Sequence, residues 1–296
     1  MRRTPPALEQ LWTVIDIVRW ATDYFAHKGV DSPRLTIELM LCSVLDVQRI
    51  RLYTEHERPL LKNELRQLRS MITRRAQHEP LQYILGKADF YGLSLKVSPD
   101  VLIPRPETEI LAERCIRILS TMPDARCLDV GTGSGCIAIS VAVHAVHSMW
   151  VGIDISTGAV AVAQENVTQH DVAARVQIIQ ADIRTYAPDQ LFDVLVMNPP
   201  YIPSAEVPTL EQNVRDYEPH VALTDDYDGL TFYRIIAERA AEIMKQDATI
   251  LLEIGHGQSE DVKAIFQERG YGVDVLNDLE NIPRVCIVRR RPITIS

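Results

Sequence analysis

At 296 residues the chain is long enough for two compact units. Its 46% hydrophobic and 24% charged residues, with 13 Gly and 17 Pro, exclude the collagenous, low-complexity and disordered classes. The formal net charge of −9 is unevenly shared: residues 1–87 carry 14 Lys and Arg against 10 acids and residues 88–296 carry 17 against 30, which makes the second part a poor surface for nucleic acid.

The opening residues, Met1-Arg2-Arg3-Thr4-Pro5-Pro6, bear two arginines but lead into neither an unbroken apolar segment nor a small-residue cleavage pattern, so no secretory leader is expected. Residues 1–87 read as a helical bundle. Leu11, Val14, Ile15, Val18 and Ala21 follow helical spacing, Leu35, Ile37, Leu39, Leu41, Val44 and Leu45 follow it again after Asp31-Ser32-Pro33, and Leu61, Leu65, Leu68, Ile72 and Ala76 form a third set. No catalytic cluster stands out there, which suits a module that binds or orients something. Residues 88–105 read as a connecting hairpin, with alternation around Phe90-Tyr91-Gly92-Leu93 and a turn at Pro99-Asp100, and a helix is expected from near Pro106.

Residues 106–296 alternate apolar strands, expected at 127–130, 150–153, 176–180, 194–197, 249–254 and 284–288, with helical stretches, the order of an α/β domain with a largely parallel sheet. The uncharged run 130–153 is broken by three glycines and two histidines and divides into one helix and one strand, so no transmembrane span is expected. Five scattered cysteines with no CxxC pair point to a reducing, cytoplasmic setting. His144 and His147 have no acid or cysteine at ligand spacing, so no metal is expected.

The first chemical signal is Asp129-Val130-Gly131-Thr132-Gly133-Ser134-Gly135, between a buried strand and a helix. Ligands of open α/β sheets bind at the carboxyl ends of strands, where glycines let them approach the backbone. A dinucleotide fingerprint needs glycine at 136, where Cys136 stands. Asp129 beside the loop disfavours a diphosphate and favours a cationic cofactor; S-adenosylmethionine has an ammonium, a sulfonium and no phosphate. Asp154 ends the next strand, placed to accept both ribose hydroxyls, and Asp182 the one after, placed to accept from an adenine amino group with Ile183 beside the ring. The loop alone fits a plain strand-to-helix turn equally, and Asp154 and Asp182 fit capping roles.

The second signal is Asn198-Pro199-Pro200-Tyr201 after the strand Val194-Leu195-Val196-Met197. Consecutive prolines stiffen the backbone and remove two N–H donors, so the Asn198 side-chain oxygen and the Pro199 carbonyl can hold the two hydrogens of one planar NH2 group while Tyr201 covers its face. An amide nitrogen is a weak nucleophile, so orientation beside the methyl donor is the main catalytic need.

These motifs resemble the protein-(glutamine-N5) methyltransferases of the HemK/PrmC type. The resemblance runs over nearly the whole chain, through Glu79-Pro80-Leu81-Gln82-Tyr83-Ile84-Leu85-Gly86, Phe90-Tyr91-Gly92, Ile103-Pro104-Arg105-Pro106-Glu107-Thr108-Glu109, the glycine loop, Asn198 to Tyr201, Tyr217-Glu218-Pro219 and Leu252-Glu253-Ile254-Gly255. It implies a Rossmann-like class I S-adenosylmethionine-dependent methyltransferase domain, ending in an antiparallel strand, with a small N-terminal all-helical domain that docks the protein substrate. The implied reaction methylates the glutamine of the Gly-Gly-Gln motif of class 1 peptide chain release factors, in translation termination, with no stable nucleic acid or membrane partner. By position, Gly131, Thr132, Gly133, Ser134, Gly135, Asp154, Asp182, Ile183 and Asn198 are implied to contact the cofactor, and Asn198, Pro199, Pro200, Tyr201 and Phe90 the glutamine. Asn198, Pro199 and Tyr201 are the implied catalytic set.

The acidic turn Asp225-Asp226-Tyr227-Asp228-Gly229 and Ile282-Pro283-Arg284 depart from the family pattern on the substrate-facing rim. The enzymatic rival is an amino methyltransferase of nucleic acid, with the basic helical part gripping phosphates. A rival of another class is a non-catalytic adaptor for a translation factor.

Overall fold

Turn chemistry and apolar periodicity build the helical part element by element in the computed structural model, which describes residues 11–291; the reading of the first six residues as no leader falls outside that range. Helix α1 (Val14–His27) starts in a capping box, with the Thr13 hydroxyl accepting from the Asp16 N–H at 3.4 Å and the Asp16 carboxylate accepting from the Thr13 N–H at 3.1 Å. It buries Val14, Ile17, Val18, Ala21 and Phe25, one stripe of the 3.6-residue period. Helices α2 (Pro33–Leu45), α3 (Arg49–Thr54), α4 (Lys62–Arg75) and α5 (Leu81–Leu85) follow, and their core joins Ile37, Met40, Leu41, Leu65, Leu68 and Ile72 to the α1 stripe. Three residues with suitable spacing face water instead: Leu11 precedes α1, Leu61 caps α4, and Leu35 lies off the α2 stripe. Residues up to 86 form one unit, together with the segment Gln212–Tyr217, whose Tyr217 hydroxyl donates to the Gln77 carbonyl at 2.7 Å.

The second unit holds residues 87–211 and 218 onward. It opens with an antiparallel hairpin, β1 (Lys87–Phe90) and β2 (Leu93–Lys96). Then come α6 (Thr108–Leu119), β3 (Arg126–Val130), α7 (Cys136–His144), β4 (Met149–Asp154), α8 (Thr157–Gln169), β5 (Val176–Gln180) and β6 (Phe192–Met197). Past a short turn of helix, α9 (Gln212–Tyr217) belongs to the first unit. The second resumes with α10 (His220–Leu223), α11 (Thr231–Ile243), β7 (Met244–Glu253), α12 (Ser259–Gln267), β8 (Tyr271–Asn277) and β9 (Pro283–Arg290).

The seven-stranded sheet has the order β5-β4-β3-β6-β7-β9-β8; the first five are parallel and β9 runs antiparallel to both its neighbours. Strand pleating sends alternate residues to opposite faces. Val194 and Val196 join Trp150, Ile139, Leu111 and Cys115 on one side, while Leu195 and Met197 join Leu128, Val130, Tyr233 and Ile236 on the other. Both faces are covered, which is why the strands read as unbroken apolar runs.

Strand β8 is not among the expected strands. Its polar and glycine positions, Gly272, Asp274 and Asn277, blur the alternation of an edge strand that is only partly buried. Strand β7 also starts five residues before the expected 249, because its exposed Lys245-Gln246-Asp247 stretch carries no apolar signal. The chain reverses its direction of travel at β3, between β4 and β6, and the carboxyl ends of these strands form the crevice where α/β sheets bind ligands.

Candidate active site

The glycine loop is tied down from two sides. The N–H groups of Gly131 and Thr132 both donate to the Ile153 carbonyl at the end of β4, at 2.9 and 3.0 Å, and the Gly133 N–H donates to Asp154 Oδ2 at 2.9 Å. Beneath the loop, Asp129 Oδ2 accepts from the Thr132 hydroxyl at 2.8 Å and from the Ala138 N–H in the first turn of α7 at 3.3 Å. Burial pushes the Asp129 carboxyl up to about 7, and its Oδ1 is buried without a partner. This acid braces the loop from below and does not line the crevice, which corrects the expectation that its charge faces a cofactor.

Asn166 is a further brace that sequence reasoning missed. Fully buried on α8, its Oδ1 accepts from the Lys96 N–H at 2.7 Å, and its Nδ2 donates to the carbonyls of Lys96 and Ser134, each at 2.9 Å. One side chain thus joins the hairpin to the glycine loop. Asn166→Ala leaves these backbone groups unpaired, and we expect a loss of about 2–3 kcal/mol in stability, read as a lower midpoint in urea unfolding with an unchanged slope.

The cleft at the strand ends has an empty volume of about 1200 Å³, the open water at its mouth included. Gly131, Thr132, Gly133, Ser134, Asp154, Asp182, Ile183, Asn198, Pro199 and Pro200 all line it, so ten of the expected site residues come together although they lie on four separate strand ends. Asp154 is held by the Gly133 and Ser156 N–H groups, at 2.9 Å each, while burial raises its carboxyl above the ordinary range. Asp182 stands at the more open rim, where the Arg184 guanidinium holds its carboxyl below the ordinary range. Arg184 also lines the cleft and carried no sequence signal of its own.

Three expected site residues do not line the cleft. Gly135 has φ +79° at the start of α7, a left-handed conformation that side chains rarely adopt, so the backbone turn into the helix requires its glycine. Phe90 is 1% exposed and packs with Leu95, Leu111 and Ala112, so the hairpin's own core absorbs the aromatic that the family pattern assigns to the glutamine. Tyr201 turns inward: its carbonyl accepts from Gln258 Nε2 at 2.8 Å, its ring packs on the apolar layer of α11 and β7, and its hydroxyl donates to Glu253 Oε1 at 3.4 Å.

Asn198 keeps its place at the cleft, and its amide has a defined sense. Nδ2 donates to the Thr108 hydroxyl at 3.1 Å, which leaves Oδ1 as the acceptor end. Thr108, at the first position of α6, lines the cleft too. Arg105, in the loop before α6, pairs with Glu218 at 2.5 Å, and the same carboxylate accepts from the Ile103 N–H at 3.2 Å. The motif from Ile103 to Glu109 is therefore a cleft wall: Glu218 pins it, and Glu109 accepts from the Tyr91 N–H of the hairpin turn at 2.8 Å.

A parallel sheet extended by an antiparallel pair, with a glycine loop after β3, acids after β4 and β5 and an Asn-Pro-Pro corner after β6, defines a Rossmann-like methyltransferase domain, and residues 108–213 match the methyltransferase small domain family. Residues 16–86 match the PrmC N-terminal domain. Release factor glutamine methyltransferases are similar over most of their length: that of Geobacter sulfurreducens is 41% identical over 88% of this chain and 91% of its own. That of Chlorobaculum tepidum is 38% identical over 93% and 97%, and that of Caulobacter vibrioides 34% identical over 97% of each. The chain belongs to the release factor glutamine methyltransferase family.

Proposed function

We propose that this protein transfers a methyl group from S-adenosylmethionine to the side-chain nitrogen of the glutamine in the Gly-Gly-Gln motif of class 1 peptide chain release factors, in the cytoplasm. The observation that carries this reading is the Asn198 amide, which lines the cleft beside Pro199 and is anchored through Nδ2 on Thr108, so that Oδ1 remains as its acceptor end. Oδ1 and the Pro199 carbonyl accept the two N–H groups of the substrate carboxamide, which orients its nitrogen and favours the positive charge that develops there.

The lining fits a cationic nucleoside cofactor. A Cβ on Gly131 would stand in open space, so the loop leaves a cradle, and Asp154 and Asp182 line the same cleft as acceptors. When bound, the cofactor supplies a methyl group on a sulfonium; methylation forms one N–C bond, breaks one S–C bond and releases one N–H proton. In this reading Asp154 accepts from the ribose hydroxyls, Asp182 from the adenine amino group, and Ile183 covers the ring.

The test is incubation of the protein with methyl-labelled S-adenosylmethionine and either an intact class 1 release factor or nucleic acid, followed by peptide mapping. Label on the Gly-Gly-Gln glutamine supports the reading, and label on nucleic acid alone overturns it. For the cofactor half, Asp154→Ala is expected to weaken S-adenosylhomocysteine binding at least about tenfold by titration calorimetry, since both a ligand acceptor and the brace on Gly133 are lost.

A further inference from the structure

Proline has no N–H, so the corner Asn198-Pro199-Pro200-Tyr201 has two fewer backbone donors with which to tie itself to the fold, and its carbonyls take up that task. In the proposed reaction the Pro199 carbonyl receives a substrate N–H, which leaves the Tyr201 carbonyl, at the far end of the corner, as the point of attachment. That carbonyl accepts from Gln258 Nε2 at 2.8 Å. Gln258 stands in the turn between β7 and α12 and is 9% exposed; its Oε1 accepts from the Gly255 N–H at 2.9 Å. The sense of this amide is fixed by its neighbours. A backbone carbonyl only accepts and a backbone N–H only donates, so Nε2 faces Tyr201 and Oε1 faces Gly255.

Two glycines make room for the contact. A Cβ on Gly255 would lie 2.8 Å from Gln258 Oε1 and 3.0 Å from Tyr201 Cδ2, and one on Gly229 would lie 2.9 Å from Gln258 Nε2, which also reaches the Gly229 carbonyl at 3.5 Å. We infer that Gln258 is a positioning residue for the methyl transfer: its amide clamps the Asn198–Tyr201 corner to the end of β7, and thereby sets where the Asn198 side chain and the Pro199 carbonyl stand in a cleft that Gln258 itself does not line. This deepens the function proposed above and rests on it for the identity of the reaction.

Gln258→Met keeps the length of the side chain and removes both hydrogen bonds. With a class 1 release factor as substrate, it is expected to lower kcat per S-adenosylhomocysteine-binding site about 10- to 100-fold, while S-adenosylhomocysteine affinity stays within about threefold. Counting binding sites separates a misplaced corner from a smaller folded fraction. Gln258→Glu keeps the acceptor for Gly255 but offers the Tyr201 carbonyl a donor only while its carboxyl is protonated. Burial raises such a carboxyl, so the donor is present at low pH and lost as pH rises. The kcat of Gln258→Glu relative to wild type is therefore expected to rise at least about tenfold from about pH 9 to about pH 6, with Gln258→Met level against wild type over the same range. Wild-type kcat in Gln258→Met, or the same loss in both variants at every pH, overturns the clamp. A readout independent of turnover is a pair of crystal structures, in which the Pro199 carbonyl of Gln258→Met is expected to stand about 1 Å from its wild-type place. An unmoved carbonyl overturns the clamp even if the wild type methylates no release factor. That last result on its own counts against the proposed function, and the crystal structures then decide the clamp.

Discussion

Asn198→Ala is expected to lower kcat for release factor methylation about 100- to 1000-fold, the scale seen when one preorganised hydrogen-bonding group is removed from a site of developing charge. Alanine leaves the diproline backbone in place but deletes the acceptor that Thr108 orients, so the substrate nitrogen loses one of its two anchors. Affinity for S-adenosylhomocysteine is expected to change less than tenfold, because the glycine loop, Asp154 and Asp182 stand on other strand ends. Single-turnover methylation and calorimetry on the same preparation separate the two quantities. Turnover within a few-fold of wild type would remove Asn198 from the reaction.

Gly229→Ala is expected to cost about 3–5 kcal/mol of stability and at least tenfold in kcat, although residue 229 does not line the cleft. Gly229 has φ +77°, and a Cβ there would lie 2.1 Å from the Tyr201 carbonyl oxygen and 2.9 Å from Gln258 Nε2. The obstacle is backbone, and it follows directly from the two prolines of the corner, so it yields only by moving the corner. The turn cannot move away cheaply either. Asp225 accepts from the N–H groups of Tyr227, Gly229 and Thr231, each at 2.9 Å, and Asp228 pairs with Arg234. Asp228 is held down to about 2 by that guanidinium, so the turn keeps its charge throughout the neutral range. Thermal unfolding and kcat measured together check the claim: a stable Gly229→Ala protein with full turnover would show that the close approach has no consequence for the corner.

The acidic turn 225–229, a departure from the family pattern, has a task of its own in the fold. Its carboxylates accept from its own backbone, and its glycine is where the turn meets the Tyr201 carbonyl. An acid's spacing to a backbone N–H two to six residues on is readable in a sequence, but the approach of Tyr201 across 28 residues is not.

The sequence by itself determined the alternation of strands and helices, the helical character of the first unit and the chemistry of the strand ends. These rest on local physics: an apolar period of two or 3.6 residues decides which face of an element is buried, and Gly, Asp and Asn-Pro-Pro at a strand end decide what the turn presents. Strand β5 falls on residues 176–180 as read, because its ends carry these signals, whereas the half-exposed edge strand β8 has none strong enough. Only the tertiary structure decided which of the motif residues reach the cleft. Phe90 and Tyr201 turn into the core, Gly135 starts α7, and Thr108 reaches Asn198 across 90 positions of sequence. The reason is that such contacts are fixed by strand order, and by the side of the pleat on which each side chain falls once α6, β6 and β7 are packed together. No local pattern encodes that.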